Sequence, residues 1–295
     1  MASRRRASML QLAAGAVMIS FSPVFVKLAA ASAAAIAFYR VFIGGIILWA
    51  LVLARGYPIR IGTTALQLAG LCGLLLAVDL IVWHRSIQLI GPGLATIMGN
   101  FQVFVLAAYG AIVLRERLTP RLLAAIPLAI VGLFLIFGLD WDVVGADYKL
   151  GVVLGILTAL TYGVFLILLR KIQSAREAPD PMVTVAVLSL VASLFLPAVI
   201  GIEGESLRVA GASTWIALVG YALVAHVIGW VLISGGLPGV QASRAGLILL
   251  LQPSLAFVWD VILFGRSIVP LELVGAGMAL AAIYLGTAVD PTSEH

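Results

Sequence analysis

Ten stretches of about twenty residues, nearly free of charge and separated by short polar interruptions, constrain this chain more than any other feature. A helix rises 1.5 Å per residue, so roughly twenty apolar residues cross a hydrocarbon core about 30 Å thick. The stretches fall at about 8–28, 32–54, 63–89, 92–114, 121–138, 150–171, 181–201, 212–235, 240–264 and 270–288. Lipid offers no water to hydrogen-bond an open backbone, and these runs are too long and evenly apolar for barrel strands. The expected fold class is therefore all-α: a polytopic membrane protein of ten transmembrane helices. Composition agrees, since only 11% of residues are charged, against roughly 25% in a soluble domain. Too little chain remains between the runs for a soluble domain.

The net charge of +5 raises the question of nucleic acid. The basic residues, however, cluster between apolar runs and form no basic face interleaved with aromatics, so no nucleic-acid partner is expected. Their distribution reads instead as topology. With the N-terminus in the cytoplasm, that side receives Arg4, Arg5, Arg6, Arg55, Arg60, Arg115, Arg117, Arg121, Arg170, Lys171 and Arg176. The opposite loops receive Asp140, Asp142, Asp147, Glu203 and Glu205, with Lys149 and Arg208. This bias predicts a multi-pass protein of a bacterial inner membrane with both termini cytoplasmic. The apolar run after Arg4-Arg5-Arg6 is longer than a signal-peptide core and reads as a retained first helix. Cys72 is the only cysteine, which excludes an intrachain disulfide.

The chain repeats itself. Gly91-Pro92-Gly93 joins the third and fourth segments as Leu237-Pro238-Gly239 joins the eighth and ninth, and aligning the prolines puts His84 over Trp230. Arg115-Glu116-Arg117 up to Pro120 parallels Gly265-Arg266-Ser267 up to Pro270, and Gly15, Pro23 and Phe25 align with Gly155, Gly163 and Phe165. Two units are expected, residues 1–139 and 140–295. Five helices per unit is an odd number, so the second unit enters the membrane from the opposite side, giving two inverted five-helix repeats, an arrangement recurrent in secondary transporters.

A charge near the bilayer centre costs at least ~2.5–3.5 kcal/mol, so each intramembrane polar residue needs a reason. The third segment carries Asp79, Trp83 and His84; the eighth carries His226 and Trp230, whose four-residue separation places them on one helical face. The candidate substrate-lining set is Ser22, Asp79, Trp83, His84, Asn100, Gln102, Tyr162, His226, Trp230 and Gln252. Interhelical hydrogen bonding is the competing role for Asn100, Gln102, His226 and Gln252. Pro23 and Gly163 are matched weak points suited to a hinge or to tight packing. Lys27 and Arg40 lie toward segment ends, where they can snorkel, form ion pairs or attract an anion; Arg244 can snorkel, and Asp260 lies near water. Pro127, Gly132, Gly275 and Gly277 suit close helix packing or the face of a homodimer.

No phosphate-binding G-x-x-x-x-G-K-[ST], H-E-x-x-H or G-x-S-x-G occurs, and three His with one Cys give no convincing zinc set. No enzyme activity, metal or cofactor is expected.

Several anchors resemble the drug/metabolite transporter superfamily, in particular its ten-helix members built from two EamA-type repeats. They are Ser20-Phe21-Ser22-Pro23-Val24-Phe25-Val26-Lys27, Phe38-Tyr39-Arg40, Leu114-Arg115-Glu116-Arg117-Leu118-Thr119-Pro120 and Leu251-Gln252-Pro253-Ser254. Arg115 stands where that family usually has glycine, and the second-half counterpart of Glu116 is not acidic. The chain is most similar to the YddG-type amino-acid exporters. That resemblance implies a secondary carrier moving amino acids or related small metabolites by alternating access. The superfamily includes both proton-coupled carriers, for which Asp79 or His84 would be the coupling group here, and carriers that only exchange or facilitate. Alternatives are transport of other drugs or metabolites such as nucleosides or cationic toxicants, a channel, or a non-transporting scaffold.

Overall fold

A computed structural model describes residues 2–137, 145–202, 204–265, 267 and 269–287. The unit boundary expected at 139/140, together with Asp140, Asp142, Glu203 and Arg266, lies outside the described residues. All secondary structure among the described residues is helical. Among the described residues, nine helices are long and apolar enough to cross a membrane: α1 (Ser3–Leu28), α2 (Ala33–Ala54), α3 (Thr63–Gly91), α4 (Leu94–Ile112), α6 (Asp147–Gln173), α7 (Pro181–Ile202), α8 (Ala212–Gly239), α9 (Ala242–Phe264) and α10 (Pro270–Thr287). A slightly shorter apolar helix, α5 (Pro120–Ile136), makes the tenth. Each coincides with one of the ten runs read from the sequence, so the chain is a polytopic all-α membrane protein.

The helices in contact include α1 with α8 and α9, α6 with α3 and α4, α2 with α7 and α8, α3 with α7, α4 with α9 and α5 with α10. Exchanging each of the first five helices with its counterpart in the second five leaves this pattern unchanged, as expected of two related five-helix units. The repeat-equivalent glycines Gly15 and Gly155 both sit at close helix approaches between the two units. A Cβ on Gly15 would lie 2.8 Å from the Gly229 carbonyl of α8, and one on Gly155 would lie 2.6 Å from Met98. The chain reverses between α3 and α4 at Gly91, whose φ of 78° is left-handed and suits glycine. Its counterpart between α8 and α9 is the 3₁₀ turn Leu237–Gly239.

Three helices break in mid-span, at Phe21 in α1, Phe101 in α4 and Leu250 in α9. All three residues have ψ between −7° and −9°, and each amide bonds the carbonyl three residues back: Met18, Met98 and Leu247 respectively. These 3₁₀-type bonds keep the backbone paired where the α ladder stops. In α1 the cause is Pro23, which cannot donate to Ile19; Ser22 Oγ donates to that carbonyl at 2.6 Å.

The bundle end that carries most of the Arg and Lys, termed the basic end, is tightly sealed. The Glu116 carboxylate, just beyond α4, accepts from Ala242 N at 2.7 Å, Ser243 N at 3.2 Å and Ser243 Oγ at 2.8 Å, capping the N-terminus of α9. Arg170 of α6 donates to the carbonyl oxygens of Leu237 (2.8 Å) and Val240, at the C-terminus of α8. Both charges complement the helix ends they meet. Arg244, expected to snorkel there, is instead buried.

Of the small residues on α5 and α10, Gly132 and Gly275 pack against each other within the chain, while nothing lies within 4 Å of a Cβ on Gly277. A Cβ on Gly275 would meet the Gly132 carbonyl oxygen at 2.5 Å, a rigid backbone contact. Gly275→Ala should therefore lower the thermal midpoint in detergent, with about 1–3 kcal/mol of overpacking. Gly277→Ala should leave it unchanged or raise it slightly.

Candidate functional site

A cavity of about 200 Å³ lies inside the bundle, walled by α1, α2, α3, α4, α6, α8 and α9. Its residues come from the middle of α6, α8 and α9 and from the part of α1 and α4 nearer the end opposite the basic one. All three helix breaks adjoin it. Ser22 and Pro23 flank Phe21, Gly99 and Asn100 precede Phe101, and Gln252 and Pro253 follow Leu250. Irregular backbone at membrane depth is tolerated where it lines a cavity or is buried in protein, and these breaks obey that rule.

Seven of the ten sequence candidates line this cavity: Ser22, Asp79, Trp83, Asn100, Tyr162, Trp230 and Gln252. Asp79 and Trp83 project together because four residues separate them on α3. Asp79 Oδ1 accepts from Thr161 Oγ1 at 3.1 Å. Asn100 Nδ2 donates back to the Thr96 carbonyl at 2.7 Å, and Gln252 Nε2 donates to Tyr162 Oη at 3.3 Å. The Trp230 indole stands edge-on to Tyr162 and Phe165, with ring centroids 6.1 and 5.0 Å away.

Three candidates lie elsewhere. His84 follows Trp83 around α3 by one residue, about 100° of rotation, and so faces a second cavity between α2, α3 and α7. Gln102 comes just after the Phe101 break, is fully buried, and bonds the Gly246 carbonyl, joining α4 to α9. His226 is fully buried with Nε2 2.7 Å from Ser189 Oγ of α7, and it packs against Gly44 of α2. Residues Ala222–Gly229 of α8 form a π-helical segment, and His226 within it does not reach the cavity that Trp230 lines. The same segment aligns two other aromatics. Tyr221 and Trp230, nine residues apart, would lie on opposite sides of a regular α-helix, yet both line the cavity. This also breaks the expected equivalence of His84 and Trp230.

Of the hinge pair, Pro23 sits at the break in α1, whereas Gly163 lies in the unbroken α6. There it admits Val105 of α4, which a Cβ would meet at 2.6 Å. Gly163 is thus a close-packing position, and the mid-span breaks pair α4 with α9 rather than α1 with α6.

Sequence reasoning left three prominent lining residues out of the candidate set: Arg40, Thr158 and Tyr221. Arg40 was expected toward a segment end, where it could snorkel, form an ion pair or attract an anion; it is only 8% exposed and lines the cavity. Its Nη1 donates to Tyr221 Oη at 2.9 Å, and its guanidinium lies 5.2 Å from the centroid of that ring. Arg40 Nε and Trp230 Nε1 are buried N–H donors with no hydrogen-bond partner among the described residues. The signal available for Arg40 was its position seven residues inside an otherwise apolar helix, too deep for easy snorkelling.

Beyond the cavity, α1 and α9 are joined away from the basic end. Lys27 pairs with Asp260 and sits over the Phe264 ring, Phe21 stacks on Trp259 at 4.5 Å, and Trp259 Nε1 donates to Ser20 Oγ. Asp260, expected to be simply solvated, is thus an ion-pair partner.

A ten-helix membrane bundle of two related units around a polar, aromatic-lined cavity has the build of a small-molecule transporter. The chain belongs to the EamA-like transporter family, whose pattern matches twice, over residues 6–138 and 149–287. It is 25% identical over 272 residues, 92% of each chain, to an uncharacterized transporter of Archaeoglobus fulgidus. It is 28% identical over 200 residues, 65% of this chain and 66% of the other, to a protein of Salmonella typhimurium described as a probable amino-acid metabolite efflux pump. One crystal structure shares the fold with a TM-score of 0.81, covering 96% of this chain and 98% of its own at 18% identity.

The placements predict a labelling pattern. In a Cys72→Ser background, Asn100→Cys and Gln252→Cys should react with a small thiol reagent at least tenfold faster than Gln102→Cys and His226→Cys.

Proposed function

We propose that the protein is a secondary carrier exporting neutral amino acids or closely related dipolar metabolites across the inner membrane by alternating access. The observation that carries this reading is Arg40. A guanidinium so deeply buried is costly without compensation, and Arg40 and Trp230 both line the cavity, each with an N–H that has no hydrogen-bond partner among the described residues. Those donors suit a carboxylate, and Arg binds carboxylates with particular strength. Asp79, in the same cavity, suits an ammonium group. Trp83, Tyr162, Tyr221 and Trp230 supply apolar and π surface for an uncharged side chain. A buried arginine in the site disfavours cationic toxicants. The efflux role assigned to the Salmonella typhimurium relative supports the outward direction.

In this conformation the basic end is sealed through Glu116 and Arg170, so alternation requires those contacts to part. With the termini cytoplasmic, as the charge bias predicts, the cavity is displaced toward the outside, the state from which an exporter releases its substrate.

In proteoliposomes, unlabelled phenylalanine on the far side should accelerate exchange of labelled phenylalanine. A channel gives no such acceleration, and finding none for any amino acid overturns the proposal. Arg40→Ala should weaken binding on the order of 10- to 100-fold, the loss of one hydrogen bond to a charged group at about 1.5–3 kcal/mol. Binding at wild-type affinity would remove Arg40 as the carboxylate receptor. A proton-coupled cycle through Asp79 predicts exchange that responds to an imposed pH gradient in the wild type and loses that response in Asp79→Asn.

A further inference from the structure

The second cavity, about 260 Å³, adjoins the first toward the end opposite the basic one. It exists because α2 and α3 scarcely touch: α7 packs against both and wedges them apart. Leu80, 5% exposed, lines both cavities. Along α3 the order runs outward from Asp79 in the central cavity, through Leu80, to His84 and then to the exposed Arg85 and Gln88. Along α2 it runs from Arg40 in the central cavity to buried Ala37, half-buried Ala34 and exposed Ala33. Both helices therefore pass from the buried site to water through the same second cavity, and Glu205 from beyond α7 adds a carboxylate to its rim.

We propose that this second cavity is the outer vestibule of the transport path, a transient site for the same small dipolar solute, with Leu80 as the partition. The assignment of solute class rests on the carrier reading above. A solute leaving Arg40 and Asp79 surrenders contacts to charges of both signs. Arg85, His84 and Glu205 offer both signs again before it reaches bulk water. A sequence of sites, each weak enough to leave, is what permeation requires. The α2 wall consists of alanines, so the passage stays open beside the charged wall.

The proposal is tested by access to the central cavity, which needs no substrate. In the Cys72→Ser background, Asn100→Cys reports the rate at which a small methanethiosulfonate enters. Ala34→Trp, which fills the vestibule from α2, should slow that reaction at least tenfold. Gln88→Trp, at an exposed position on α3, should do the same and covers the case in which Ala34→Trp melts early. An unchanged rate in a folded variant overturns the vestibule. The amino-acid reading is judged separately, by phenylalanine exchange in the parent protein, so the two can fail independently.

Discussion

Hydrocarbon offers no hydrogen bonds, and most of this structure follows from that. Every peptide group at membrane depth must find a partner within the protein, so the helix is the default and each departure from it requires local repair. The departures concentrate on one place. The breaks at Phe21, Phe101 and Leu250 and the π segment of α8 all border the central cavity. Their repairs are local as well: amides bonded three residues back, and a serine hydroxyl taking the carbonyl that Pro23 cannot serve. Irregularity in the lipid-facing parts of the bundle would have no such remedy.

The same scarcity of polar partners makes the charged side chains informative. Glu116 and Arg170 are spent on helix ends, where the backbone supplies the complementary partial charge. Lys27 and Asp260 neutralise each other between α1 and α9. Arg40 differs, since it donates to the neutral Tyr221 hydroxyl and its guanidinium lies over that ring. That contact fixes the guanidinium on the cavity lining, where the Asp79 carboxyl interacts electrostatically with its charge.

The two families of contacts are unequal at the two ends. At the basic end, Glu116 and Arg170 both hold the turn between α8 and α9 through buried backbone groups. At the other end the α1–α9 junction depends on a stacked aromatic pair and an ion pair whose lysine is half exposed. Exposed ion pairs contribute little, so the opposite end is the more easily opened in this conformation. The asymmetry traces to residues the repeats do not share, since the position matching Glu116 in the second unit is not acidic.

Length and apolarity alone determined the ten helices, because bilayer thickness converts directly into residue count. The repeat too was legible, since glycines and prolines at matched positions mark backbone geometry that side-chain drift does not erase. Seven lining residues were legible because polar groups deep in apolar helices stand out. What sequence periodicity could not supply was rotation. It assumed 3.6 residues per turn throughout α8, and the π segment brought Tyr221 into line with Trp230. It treated Pro23 and Gly163 as a pair, but a glycine becomes a hinge or a packing site according to what lies against it, and Val105 lies there. It could not tell that Arg40 faces inward, because snorkelling and burial differ only in which neighbours surround the side chain. The spans and their number were thus written in the chain, while the face each residue presents was decided by how the helices pack around one another.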